Sequence, residues 1–117
     1  TWQDPNYPHA LDRFTALHYF EFSPFFDRTC NNTLARQQGR DPAVPGTLEN
    51  VAPSGGLEFV LELEQPPNLF VIRKQMRKGQ DVNVPGAVSV MTLYYILDRV
   101  VYQAPSLLSA LKTRLSR

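Results

Sequence analysis

Cysteine is nearly absent from this 117-residue chain: Cys30 is the only one. A lone thiol cannot close an internal disulfide, which points to a reducing compartment. Histidine is scarce too, with His9 and His18 only. No cluster of these residues has the spacing of a metal site, so no metal and no cofactor is expected. No apolar run approaches the roughly 18–20 residues of a membrane-spanning helix, and no membrane partner is expected. The formal net charge is +1. That excludes a bulk electrostatic pull toward nucleic acid or an anionic membrane. No glycine-rich phosphate loop opens a helix; Gly55-Gly56 leads into a strand-like run instead. The first residues, Thr1-Trp2-Gln3-Asp4-Pro5, carry no basic-then-apolar leader and no initiator Met, so the chain reads as a trimmed piece.

What is present is ordinary for a folded domain. Hydrophobic residues make up 43% and aromatics 11%. The length suits one α+β domain over 1–117 with a single modest core. Proline is abundant, with ten residues gathered in connecting stretches.

The organising stretch is Ser23-Pro24-Phe25-Phe26-Asp27-Arg28-Thr29-Cys30-Asn31-Asn32. Ser23 suits an N-cap, Pro24 the first helical position, and Gly39 a left-handed C-terminal stop. The spacing predicts a helix over 24–38. Phe26, Cys30, Thr33 or Leu34 and Gln37 would face inward. Asp27, Arg28, Asn31, Asn32 and Arg36 would face outward. A shorter helix, capped by Thr15 and ending at Phe22, is predicted before it. From 39 to 56 four glycines and three prolines break any period, which reads as a flexible linker without secondary structure.

Leu57 to Glu64 alternates with period two, and Leu69 to Arg77 comes after the turn Gln65-Pro66-Pro67-Asn68. A simple hairpin places Glu64 opposite Leu69 and Leu57 opposite Met76. Leu57, Phe59, Leu61 and Leu63 then form the core face. Glu58, Glu62, Glu64, Arg73, Gln75 and Arg77 form the solvated one. Val88 to Leu97 and Val100 to Gln103 read as two further strands around an Asp98-Arg99 turn. Arg99 suits that turn poorly, since a tight hairpin favours glycine at positive φ. Ala104-Pro105 opens a final helix with a stripe of Leu107, Leu108, Leu111 and Leu115. The fold class is therefore α+β. An antiparallel sheet of about four strands packs against two N-terminal helices and one C-terminal helix.

No set of residues converges for catalysis, and no enzyme is expected. Cys30 lies on the apolar helix face and reads as an inert core thiol. His18 reads as a half-exposed helix residue. Arg73-Lys74-Gln75-Met76-Arg77-Lys78 is the only basic run. Its simplest reading is a solvated strand face. The alternative function is a nucleic-acid-binding module on 73–78, which would need interleaved aromatics and more positive charge.

Three strings resemble the conserved domain of the Mediator subunit 6 family. The first is Leu17-His18-Tyr19-Phe20 running into Ser23 to Asn32. The second is Leu57 to Leu61 followed by Leu69 to Gln75. The third is Tyr94-Tyr95-Ile96-Leu97 followed by Val101-Tyr102-Gln103-Ala104-Pro105-Ser106. Trp2 with Pro5 resembles the family's opening. Arg99 stands where that family has a small turn residue. The resemblance implies a nuclear, non-enzymatic coactivator subunit in the Mediator head module. It would help assemble the complex and couple regulators to RNA polymerase II at promoters. Its partners would be other head subunits, and the polymerase reached through the assembled complex, with the polymerase tail one candidate point of contact. Direct nucleic-acid binding is not expected. Asp27, Arg28, Asn31, Asn32, Arg73, Lys74, Gln75, Tyr102 and Gln103 are the expected partner-binding residues.

Overall fold

The computed structural model describes residues 1–51, 55–79 and 87–105. The expected C-terminal helix and the loop at 80–86 lie outside them. The element order is α1 (Arg13–Phe20), α2 (Asn31–Gln37), α3 (Thr47–Val51), β1 (Gly56–Gln65), β2 (Leu69–Arg77), β3 (Val88–Leu97) and β4 (Val100–Gln103). The strands form one antiparallel sheet in the order β1-β2-β3-β4. The α+β reading holds, and three of the four strands keep the bounds read from the sequence.

The first helix starts earlier than Thr15. Asp12 is its N-cap, accepting from the Phe14 and Thr15 amides at 2.8 and 2.9 Å. The Thr15 hydroxyl answers by accepting from the Asp12 N–H at 2.8 Å, so the pair forms a reciprocal cap. Ala16, Leu17, Tyr19 and Phe20 are buried, and α1 lies on one face of the sheet. There Phe20 meets Phe59 and Tyr94 with ring centroids 5.4 and 5.1 Å apart. Phe70, Ile72 and Ile96 complete this core from the strands.

The predicted long helix over 24–38 is not formed as one element. Ser23 closes α1, its hydroxyl donating to the Phe20 carbonyl at 2.7 Å. Asp27 then accepts from both the N–H and the hydroxyl of Thr29, at 2.8 and 2.6 Å. That local turn competes with helical hydrogen bonding and delays α2 to Asn31. Phe25 and Phe26 turn inward against Tyr94 and Phe59. Gly39 ends α2 as expected, with φ at +72°. Arg40 donates to the Ala35 carbonyl and Gly39 to that of Arg36, the paired bonds of a glycine-terminated helix.

The rotation of α2 is the larger correction. Asn31, Asn32 and Ala35 face the protein, while Leu34 is exposed. The stretch expected to lack secondary structure contains α3 and buries Pro42, Ala43, Leu48 and Val51.

The β1–β2 hairpin is in the expected register from Leu57↔Met76 to Leu61↔Ile72. A bulge between Leu61 and Leu63 then shifts it, so that Leu63 pairs with Val71 and Gln65 with Leu69. One extra residue reverses the facing of the strand beyond the bulge. Leu63 therefore leaves the α1-facing core and packs on the other face with Val71, Leu93, Tyr95 and Ala104. At the far edge, Trp2 exchanges both backbone hydrogen bonds with Val101, at 3.0 and 2.7 Å.

Candidate assembly surface

The turn and helix that carry the organising stretch sit at the β1 edge of the sheet. An edge strand offers unpaired N–H and C=O groups. Here Asn32, fully buried, supplies both complements. Its Nδ2 donates to the Phe59 carbonyl at 2.6 Å, and its Oδ1 accepts from the Phe59 N–H at 2.8 Å. One side-chain amide thus imitates a neighbouring strand.

Asn31, beside it, reaches a carboxylate that the alternation placed in solvent. Glu58 is 0% exposed and Gln75 2%. The Glu58 carboxylate accepts from Asn31 Nδ2 at 3.1 Å, Gln75 Nε2 at 2.8 Å and Arg77 Nε at 2.8 Å. Gln75 Oε1 in turn accepts from Arg73 Nε at 2.9 Å. Glu62 and Glu49 lie 3.8 Å from the Arg73 and Arg77 guanidiniums. The Glu58 hydrogen bond and charge hold the Arg77 pKa above its ordinary value, against the opposing effect of burial. A buried carboxylate is tolerated when it is paired and hydrogen-bonded in this way. Asn31, Glu58, Arg73, Gln75 and Arg77 are engaged with one another, so the chemistry of the network is bracing.

The helix is tied to α1 as well. Arg36 grips Glu21 through two nitrogens, Nη2 to Oε2 at 2.7 Å and Nε to Oε1 at 3.1 Å. Burial alone would lower the Arg36 pKa; the hydrogen bond and charge of Glu21 outweigh it and raise it. Between α1 and α2 opens a shallow cleft of about 270 Å³, with Phe22, Phe26, Arg28 and Thr33 among its walls. Phe22 and Arg28 are exposed there. Asp27, in the same turn, has its carboxyl held below the usual range, chiefly by the Thr29 hydroxyl and amide. Burial pushes the Cys30 thiol up, which suits an unreactive core residue.

The nine expected partner-binding residues therefore divide. Asn31, Asn32 and Gln75 point inward and hold the sheet. Arg73 is half-buried in the same network. Lys74 lies over the Phe59 ring, 5.9 Å from its centre. Asp27 and Arg28 are turned outward beside the cleft. Tyr102 and Gln103 are exposed on β4, at the opposite edge of the sheet from α2. The basic run does not form one basic face. Arg73 and Arg77 enter the glutamate network and leave Lys74 and Lys78, so the nucleic-acid alternative gains no support. Among the described residues no group of three or more His, Cys, Asp or Glu is placed to hold a metal.

Sequence reasoning missed Glu58 and Arg77 as the centre of the network. Nothing in the alternation distinguishes Glu58 from Glu62 or Glu64. Arg99 was visible as an oddity. Asp98 and Arg99 adopt φ of 47° and 71°. Arg99 donates to the Tyr7 and His9 carbonyls at 2.7 and 2.9 Å, and its guanidinium lies over the Tyr19 ring. The turn that prefers a small residue is held here by a long one.

A family model described as "MED6 mediator sub complex component" matches residues 1–117. The chain belongs to the Mediator subunit 6 family. Curated family members similar to it include "Mediator of RNA polymerase II transcription subunit 6" of Danio rerio, 36% identical over 97% of this chain and 41% of that protein. The Anopheles gambiae protein of the same name is also 36% identical, over 98% of this chain and 40% of its own length. The chain thus spans about two-fifths of these relatives. Among solved structures, the Schizosaccharomyces pombe Mediator subunit Med6 superposes with a TM-score of 0.76 at 30% identity, covering 97% of this chain and 81% of that one. A chain of the Schizosaccharomyces pombe Mediator head module superposes at 0.72 with 28% identity, covering 98% and 75%. The family's shared fold is therefore the sheet and helices described above.

Proposed function

We propose that this chain is part of a non-enzymatic head-module subunit of the Mediator coactivator. It acts in the nucleus, where it helps assemble the complex and couples regulators to RNA polymerase II at promoters. The observation that carries this reading is the superposition of 98% of the chain on a head-module chain at a TM-score of 0.72. The polar chemistry agrees with it, because the buried charges brace the sheet and leave outward groups for contact with other subunits. Asp27 and Arg28 beside the Phe22 cleft form one contact surface, with Lys74 nearby. Tyr102 and Gln103 on β4 form a second.

The test is incorporation of the full-length subunit into a reconstituted head module. The substitution Arg28→Ala, at an exposed residue of the cleft wall, is expected to weaken incorporation while leaving the denaturation midpoint of the free subunit unchanged. Incorporation at the parental level by that variant and by Tyr102→Ala/Gln103→Ala together would refute both surfaces. Failure of the parental subunit to enter the assembly would refute the function itself.

A further inference from the structure

The sheet covers only the inward side of α1. The outward side carries Phe14, His18 and, just past the helix end, Phe22. Four-residue spacing stacks them along one face. The His18 and Phe22 rings meet edge-on with centroids 5.0 Å apart. Phe14 is 44% exposed and Phe22 54%, the most exposed large apolar side chain among the described residues. Exposed rings gathered on one helix face mark an interaction surface.

Phe22 stands between two hollows. One is the cleft toward α2. The other, of about 250 Å³, opens toward the N-terminal segment and is walled by Asp4, Tyr7 and His9 together with His18 and Phe22. Their charges differ. In the α2 cleft Arg36 is matched by Glu21 and Asp41. Arg28 is exposed and in no ion pair among the described residues. Asp27 does not match it, because its carboxylate is held by Thr29 and lies within electrostatic reach of Lys74. In the second hollow Asp4 is likewise in no ion pair among the described residues, its Oδ1 accepting from the Asn6 N–H at 2.9 Å. The aromatic ridge therefore runs from a positive end to a negative one. The described chain breaks off away from this ridge. Ala104 packs with Val71 and Leu93 on the sheet face opposite α1. Lys78 and Ala87 meet at the end of the sheet remote from Glu64, the residue that Arg13 of α1 reaches. Val51 lies against Ala35 on the buried side of α2.

We propose that the Phe14–His18–Phe22 ridge receives an amphipathic helix of another head-module subunit, with a carboxylate of that helix on Arg28. Apolar side chains one turn apart on the incoming helix straddle Phe22, one in each hollow, as ridges pack into grooves. The Arg28 guanidinium offers a fork that a carboxylate meets with two hydrogen bonds. Asp4 repels a carboxylate from the other end, so the direction of the helix is fixed. This inference rests on the assembly function proposed above and names the chemistry that its first contact surface takes.

The test places photoreactive benzoylphenylalanine at position 22 of the full-length subunit and maps its crosslinks in the reconstituted head module. The expected crosslink is to a helix of another subunit with an Asp or Glu within about two turns of the labelled site. Phe22→Ala and Arg28→Glu are each expected to weaken incorporation about tenfold or more, as truncation of a central contact does. Both should keep the parental urea midpoint when free, since both side chains are exposed. Replacing the acidic residue of the crosslinked helix by lysine is expected to restore Arg28→Glu toward the parental level. In a module that has assembled, a crosslink only to this subunit's own chain or to a second copy of it overturns the inference and leaves the function standing. So does parental incorporation of both variants, or failure of the charge exchange to restore Arg28→Glu. If the parental subunit does not enter the module, both readings fall.

Discussion

Replacing Asn32 by alanine should cost about 3 kcal/mol of folding stability. The substitution removes the two bonds to Phe59, at 2.6 and 2.8 Å. A net hydrogen bond contributes only about 0.5–1.5 kcal/mol, but a buried group left unpaired costs roughly 1–3 kcal/mol. Two orphaned backbone groups would give roughly 2–6 kcal/mol on that basis. Water entering the gap at a sheet edge offsets part of this, which sets the expectation near 3. For a chain of this size that corresponds to a fall in Tm of about 10 °C or more. Asn32→Asp separates shape from chemistry. Its carboxylate can accept from the Phe59 N–H but sets a negative oxygen against the Phe59 carbonyl. At neutral pH it should be at least as damaging as alanine. Protonation restores a donor toward that carbonyl, so the folded-state pKa of this aspartate lies above its unfolded value. Its stability deficit should therefore shrink as pH falls through the folded-state pKa. Urea denaturation across pH, with exchange of the Phe59 amide as a local reporter, measures both effects. A loss under about 0.5 kcal/mol for alanine, or an aspartate variant equal to wild type at pH 7, would refute the edge-capping argument.

Three further outcomes rest on the same geometry. Glu58→Ala strands the Arg77 guanidinium and the Asn31 and Gln75 amides, and should cost about 3–5 kcal/mol by thermal denaturation; a loss below 1 would count against the buried network. Asp12→Ala removes the α1 cap and should cost about 1 kcal/mol at pH 7. Because hydrogen bonding, first from the Thr15 amide, lowers the folded pKa of Asp12 below 3.8, that contribution is present above the unfolded value. It disappears as pH falls through the folded one, so the gap between variant and parent should close in acid. Arg99→Gly should be less harmful than Arg99→Ala by about 1 kcal/mol, since both lose the Tyr7 and His9 contacts and only glycine tolerates φ near +71° freely; equal stabilities would mean the turn is not strained.

The strands were legible because period-two alternation and proline-bounded turns are local signals. β2, β3 and β4 keep their predicted limits for that reason. The Leu61/Leu63 bulge left no such trace, and half of one register moved with it. The helices were harder. Ser23-Pro24 has the form of a helix start, yet Phe25 and Phe26 are drawn into the aromatic core, and Asp27 ties down Thr29 instead. Asn31 and Asn32 look like surface residues by type. Only the proximity of the Phe59 backbone and Glu58 makes them interior ones, and that proximity is set by the tertiary fold. The same applies to Glu58 and Gln75, a polar pair joined by register across two strands. Of the expected partner-binding residues, those that could be read as outward from sequence type are outward only where no buried backbone or carboxylate needed them.

The central claim is that the fold braces itself internally through Asn31, Asn32 and Glu58 and presents its remaining polar surface to head-module subunits. Amide exchange of the full-length subunit, free and in the reconstituted head module, tests it most directly. The Phe59 amide should already be strongly protected in the free subunit. Amides around Asp27-Arg28 and Tyr102-Gln103 should gain protection only on assembly. A free subunit in which Phe59 exchanges rapidly, or a module in which neither outward surface is protected, would contradict it.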